Sequence, residues 1–320
     1  QSSDVSFDLE LREKISTDVV GAPRLDRRRR FGNRGGGRGF TRSEAGYASA
    51  IAIDFGGQRQ FVQLTAKTLI GVSAKDGKLL WRYDRPANNR GINCSTPIFH
   101  DGHVFAASAY GNGGGLARLS KSEDGKIAAE EVWFSKSMEN HHGGMLVHDG
   151  CVYGANGGNG GGYLVCLDQK TGDVLWRSKE FTDGAQYSSP IAIESQGKRQ
   201  YVQLVMKNLV GVEATTGKVL WKSSWPGRTA VIPTPIHHDG HIFITSGYGV
   251  GCKLVELGSS GASDVYENKI MKNHHGGVIK LDDYVYGYSV GYGWVCQNFK
   301  SGELKWNEKK ALGKGAIAYA

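Results

Sequence analysis

Several absences narrow the field before any motif is read. No apolar run approaches the roughly 18 residues a membrane-spanning helix needs. The five cysteines, Cys94, Cys151, Cys166, Cys252 and Cys296, include no adjacent pair and no Cys-x-x-Cys, so sequence alone marks no zinc or dithiol motif. No segment of helical length carries a 3.6-residue apolar period. No Ser-His-Asp or paired-carboxylate pattern stands out, which leaves an unrelated hydrolase without support. Proline is scarce, 7 residues against 47 glycines, and the glycines follow no collagen period. Many tight turns and one low-complexity tract are the expected result.

The formal charge of +8 hints at a nucleic-acid partner until it is located. Arg24, Arg27, Arg28, Arg29, Arg30, Arg34, Arg38 and Arg42 face Asp26 alone, so nearly the whole excess lies in one short tract. The remainder is close to neutral, and no nucleic-acid partner is expected for the folded part. The piece Arg34-Gly35-Gly36-Gly37-Arg38-Gly39-Phe40 is similar to an RNA-binding Arg-Gly segment. With one short copy and little aromatic interleaving, it reads better as a solvated linker. Residues 1–43 are therefore expected to be a basic, mostly disordered segment, and 44–320 the folded domain.

That domain is built from repeats. Arg59-Gln60-Phe61-Val62-Gln63-Leu64 returns as Arg199-Gln200-Tyr201-Val202-Gln203-Leu204, and Asn140-His141-His142-Gly143-Gly144 as Asn273-His274-His275-Gly276-Gly277. Residues 47–180 and 187–310 are two tandem copies of one unit. A shorter period runs inside each copy, marked by Trp81, Trp133, Trp176, Trp221, Tyr266 and Trp306, about 45 residues apart as in a propeller of four-stranded blades. Within a unit, Pro97-Ile98-Phe99-His100 is a strand, Asp101-Gly102 a hairpin turn, and His103 to Ala107 the next strand. Asp149-Gly150 and Asp239-Gly240 repeat that turn. The glycine runs Gly111–Gly115 and Gly157–Gly162 read as hairpin turns, because no Lys-Ser/Thr or helix follows them. The fold class is an all-β propeller with six legible repeat units.

The phrase Ala214-Thr215-Thr216-Gly217-Lys218-Val219-Leu220-Trp221 resembles the tryptophan-docking motif of quinoprotein alcohol dehydrogenases and of the outer-membrane assembly scaffold with the same fold. Tyr187-Ser188-Ser189-Pro190 and Asn140 to Gly144 resemble the PQQ-binding-like β-propeller repeat proteins. The resemblance covers about residues 44–320 and implies a place in the bacterial cell envelope, periplasmic or extracellular. Such relatives usually close about eight blades. Residues 313–320 read as the first strand of a further blade. Either the sequence is a fragment, or Ser6 to Arg12, which alternates cleanly, pairs with that strand and closes the ring.

Aligned on the first strand of each unit, Tyr47, Cys94, His142, Tyr187, Ile232 and His275 share one level at the mouth of the central channel. A one-residue slip would turn His141 and His274 inward instead. These histidines, with Tyr47, Tyr187 and Cys94, are the candidate ligand site, and His142 with His275 the candidate ligands of a divalent transition metal. Against this stands a duplicated structural turn whose rings bond backbone carbonyls. Cys166 and Cys296 match between copies and read as packing slots, and a Cys151–Cys166 bridge is an option in an oxidising compartment.

Two functions remain open. One is a scaffold or binding propeller with a protein, peptide or glycan partner at its loops and channel mouth. The other is a quinoprotein dehydrogenase, for which the resemblance implies pyrroloquinoline quinone (PQQ) with calcium, an adjacent Cys-Cys disulfide, a Trp platform and an Asp base. The missing Cys pair favours the scaffold.

Overall fold

The computed structural model describes residues 45–157 and 162–317. The basic segment 1–43, the strand expected at Ser6–Arg12, most of the glycine run after Gly157 and residues 318–320 lie outside these. Among the described residues there is no helix, and 24 strands form six four-stranded antiparallel sheets, the blades of an all-β propeller.

Two compact units are present, one through Lys136 and one from Ser137. The first holds blade 1, with β1 (Ile51–Phe55), β2 (Gln58–Leu64), β3 (Leu69–Ser73) and β4 (Leu79–Tyr83). It also holds blade 2, with β5 (Ile98–His100), β6 (His103–Ser108), β7 (Gly113–Lys121) and β8 (Ile127–Ser135). The second opens with blade 3, β9 (Leu146–His148), β10 (Cys151–Asn156), β11 (Tyr163–Asp168) and β12 (Val174–Arg177). Blade 4 follows with β13 (Ile191–Ser195), β14 (Lys198–Leu204), β15 (Asn208–Glu213) and β16 (Val219–Ser224). Blade 5 comprises β17 (Ile236–His238), β18 (His241–Ser246), β19 (Gly251–Gly258) and β20 (Gly261–Asn268). Blade 6 ends the series with β21 (Val278–Leu281), β22 (Tyr284–Ser289), β23 (Gly293–Asn298) and β24 (Leu304–Glu308). In every blade each strand pairs with its sequence neighbours.

The local chemistry explains the meander. The turn between the first two strands places Asp101 and Gly102 at φ 46° and 71°, and Asp239 and Gly240 at 46° and 69°. Two successive left-handed residues define the tight hairpin whose twist matches that of its strands, and Asp-Gly tolerates it best. The core lies between blades. Val202, Leu204 and Trp221 of blade 4 pack with Ile242, Ile244 and Val255 of blade 5, and Phe243 and Leu254 of blade 5 with Val285 and Val295 of blade 6. Second and third strands, covered on both faces, are mostly buried; β24 is almost wholly exposed.

The marker aromatics divide into two kinds. In all six blades the marker pairs with a third-strand residue, and the register slips immediately after: Gly71/Val72, Leu116/Ala117, Cys166/Leu167, Gly211/Val212, Leu254/Val255 and Cys296/Gln297. Such a bulge re-aims the side chain it carries. Opposite Gly71 and Gly211, where a Cβ would overlap the ring, Trp81 and Trp221 fold onto their own blade. Their indole N–H groups donate to Gln60 and Gln200 at 2.8 and 2.7 Å. Opposite Cys166, Trp176 instead docks on the next blade over Gly217 and donates to the Ala214 carbonyl at 2.9 Å. Opposite Leu254, Tyr266 lies against Gly302 and donates to the Phe299 carbonyl at 2.9 Å. Trp221 thus fills a slot in its own blade and also joins the core shared with blade 5, whereas Trp306 is 49% exposed. One expectation is corrected at 313–317, which form no strand, although the Ile317 N–H donates to the Gly276 carbonyl at 3.0 Å.

Candidate functional site

The two Asn-His-His-Gly-Gly segments run into β9 and β21, and their asparagines anchor them. The Asn140 amide donates to the Ala155 carbonyl at 3.3 Å. The Asn273 amide donates to the carbonyls of Gly277 and Tyr288, each at 3.0 Å. The backbone of each turn is therefore held by its Asn, which frees the histidine rings for other contacts.

In the first copy His141 is buried and shares a short Nδ1–Nδ1 contact with His142. The His142 ring lies nearly parallel to the Tyr187 ring of the following blade, 3.8 Å between centroids and 25° between planes. Burial, and then the neighbouring His141, push the His142 pKa from 6.5 down to about 4; burial likewise lowers that of His141. Both rings are uncharged near neutrality. Tyr187 keeps 42% of its surface exposed, so the stack presents an open aromatic face.

In the second copy the roles are exchanged. His275 is exposed with its ring centroid 4.4 Å from that of His274, and His274 makes the hydrogen bonds. The Lys314 ammonium donates to His274 Nδ1 at 3.0 Å, and Nε2 lies 2.7 Å from the Tyr248 hydroxyl. An ammonium only donates, so the ring proton sits on Nε2 and goes to the Tyr248 oxygen. The Tyr248 O–H is left to aim elsewhere. Burial, then Lys314, then His275 lower the His274 pKa, keeping the ring neutral. Gly247 makes this approach feasible, since a Cβ there would strike the His274 backbone. Tyr248 itself sits at φ 56°, a strained setting for a bulky residue.

In the other unit, Tyr47 is 71% exposed, and its N–H donates at 3.0 Å to the carbonyl of Asn93, the residue before Cys94. Cys94 is half-buried, and burial raises its pKa. The structure thus brings His142 onto Tyr187 and Tyr47 beside Asn93. Sequence reading missed Tyr248 and Lys314. The only local signal for the first was its Gly-Tyr-Gly setting, and Lys314 has none.

Neither histidine pair fits a metal well. The Nδ1 atoms of His141 and His142 meet each other, and an ammonium occupies Nδ1 of His274. Among the described residues no three His, Cys, Asp or Glu side chains group to hold an ion. The five cysteines are free thiols, Cys151 and Cys166 included. The described residues do not fit PQQ with calcium as the resemblance describes it: they offer no neighbouring Cys pair and no group of acidic ligands. Cys166 and Cys296 are buried opposite Trp176 and Trp306, as packing slots.

A family model described as outer membrane protein assembly factor BamB matches residues 40–178 and again 121–308. No curated protein matches the sequence. Among solved structures, BamB from Moraxella catarrhalis superposes with a TM-score of 0.57 at 15% identity, over 82% of this chain and 75% of that one. Quinohemoprotein alcohol dehydrogenase from Comamonas testosteroni gives 0.58 at 13%, over 80% and 59%. A europium-containing methanol dehydrogenase gives 0.59 at 11%, over 85% and 70%. At these identities the likeness is one of fold. Among the described residues no helix is long and apolar enough to cross a membrane.

Proposed function

We propose that this chain, which belongs to the family of the outer membrane protein assembly factor BamB, is a binding or scaffold propeller that performs no chemistry itself. Its ligand is a protein, peptide or glycan. The observation that carries this reading is the pairing of uncharged imidazoles with open tyrosines: His142 on Tyr187 and His274 on Tyr248. Aromatic faces with hydrogen-bonding edges suit extended ligands, which stack and hydrogen-bond at low entropic cost. Within the second unit the site comprises His141, His142, Tyr187, His274 and His275, joined by Tyr248. Tyr47 and Cys94 mark the corresponding level of the first unit. A location in the bacterial cell envelope, periplasmic or extracellular, belongs to the same reading, since the family's description concerns outer-membrane assembly.

Titration with soluble oligosaccharides and with unstructured peptides, followed by intrinsic fluorescence, tests it. A ligand so found should bind at least tenfold more weakly to Tyr187→Ala and Tyr248→Ala. Unchanged affinity in both variants would remove the site. A bound-quinone absorbance band after adding PQQ and calcium would overturn the non-catalytic part, and a zinc isotherm abolished by removing both histidine pairs would restore the metal reading.

A further inference from the structure

The opposite ends of the blades' first strands carry a second histidine pattern that the proposed function does not use. His100-Asp101-Gly102-His103 joins β5 to β6, and His238-Asp239-Gly240-His241 joins β17 to β18. These are equivalent hairpins of the two tandem copies, and both keep all four residues. In each, the two histidines are directly opposed partners across the strands, His100 with His103 and His238 with His241. Opposed residues project from the same face with Cβ atoms about 4.5–5.5 Å apart. Two imidazoles at that spacing reach one ion at the roughly 2.0–2.1 Å nitrogen–metal distance.

The ring chemistry is also set up for ligation. His103 Nδ1 lies 2.6 Å from the Asp101 carbonyl oxygen, and His241 Nδ1 lies 2.7 Å from that of Asp239. A carbonyl only accepts, so Nδ1 carries the proton in both rings and Nε2 holds the lone pair. A backbone carbonyl that fixes the tautomer through the other ring nitrogen is the usual outer support of a metal-bound histidine. His238 Nε2 stands 3.2 Å from the Asp239 carboxylate, which accepts its N–H, fixes that ring and leaves Nδ1 with the lone pair for a metal. Phe299 stands edge-on to both rings of this pair, at 83° and 70°, which limits their rotation.

We propose that each of these hairpins is a two-imidazole site for a borderline divalent transition metal, zinc, copper or nickel, with water completing the coordination. One site lies in each unit. The sites are distinct from the Asn-His-His-Gly-Gly segments, so their existence does not depend on the proposed function.

The test uses the untagged full chain titrated with zinc in a non-coordinating buffer by calorimetry, with copper(II) electron paramagnetic resonance as a second readout. Two equivalents per chain are expected, with coupling to two nitrogens at each copper. His103→Ala should lose one equivalent, His241→Ala the other, and the double variant both, with unchanged circular dichroism confirming the fold. The combination His142→Ala with His275→Ala should keep both equivalents. Should His103→Ala or His241→Ala disturb the fold, the exposed His100→Ala and His238→Ala replace them with the same expected losses. No zinc binding in the wild type, or two equivalents surviving in the double variant, overturns the proposal.

Discussion

Blades 3 and 6 are equivalent units of the two copies and share their chemistry: an Asn-His-His-Gly-Gly entry, a buried cysteine on the third strand and a tryptophan paired with it. Their surroundings differ. Blade 4 lies against blade 3, where Trp176 is 9% exposed over the Gly217 turn and His142 stacks on Tyr187. In blade 6, Trp306 is 49% exposed and His275 faces solvent, while His274 turns back to Tyr248 of the preceding blade. Identical residues have taken opposite roles because a different neighbour meets each. The repeat specifies a blade, and the adjoining blade decides which of its side chains become core.

The sharpest way to break this comparison is to truncate the tryptophans of blades 3 and 6, with that of blade 4 beside them. Trp176→Ala should cost about 3–5 kcal/mol, the range for a large buried aromatic. Trp221→Ala, which empties the slot over Gly211, should cost about as much. Trp306→Ala should cost under about 1 kcal/mol, because its ring is already half in water. Denaturant unfolding of the three variants checks this, and equal losses at Trp176 and Trp306 would refute the account.

The histidines give a smaller contrast. His142→Ala should destabilise by about 1–2 kcal/mol through loss of the Tyr187 stack, and His275→Ala by less than about 0.5 kcal/mol. A pH series sharpens it. With its folded pKa depressed to about 4 from 6.5, His142 resists the proton that an unfolded chain accepts. Stability is therefore retained above about pH 6.5 and falls as the pH drops toward 4. Melting curves across this window should flatten in His142→Ala and change little in His275→Ala. The smallest effect is expected from Lys314→Met. Removing that ammonium should raise the His274 pKa toward its ordinary value, read by NMR titration of the ring proton, while stability stays within about 0.5 kcal/mol.

Much of the fold was legible because its signals are local. Asp-Gly at two-residue spacing dictates the hairpins, and alternation in segments such as Arg59 to Leu64 dictates the strands. The contents of the site were less legible, because they depend on register and on neighbours. Alignment placed His142 and Tyr187 at one level, and they do meet; it placed His275 there too, yet His274 is the residue engaged. Two sources of error are physical. The bulge opposite every marker aromatic shifts the outer strand by one residue without a sequence signature of its own. Buried charge is the other. Lys253 reads as a solvent-facing strand residue, yet it is 1% exposed, and its ammonium donates to Asp264 and to the Ser224 carbonyl, each at 2.8 Å. The opposing Asp264 carboxylate and the blade-4 carbonyl, with the Glu267 carboxylate at 3.4 Å, make that burial tolerable.

The neighbour-to-neighbour order of strands in every sheet bears on how the chain acquires its structure during synthesis. Among the described residues no strand waits for a distant partner, so each hairpin can close within microseconds of leaving the ribosome, far faster than the next residues are added. Low sequence separation within the sheets favours rapid formation of each blade, while the cores between blades set a slower second stage. Pulse-labelled amide exchange on stalled nascent chains should accordingly find blade 4 hydrogen-bonded once residue 224 has emerged, and Trp176 shielded only from that length onward.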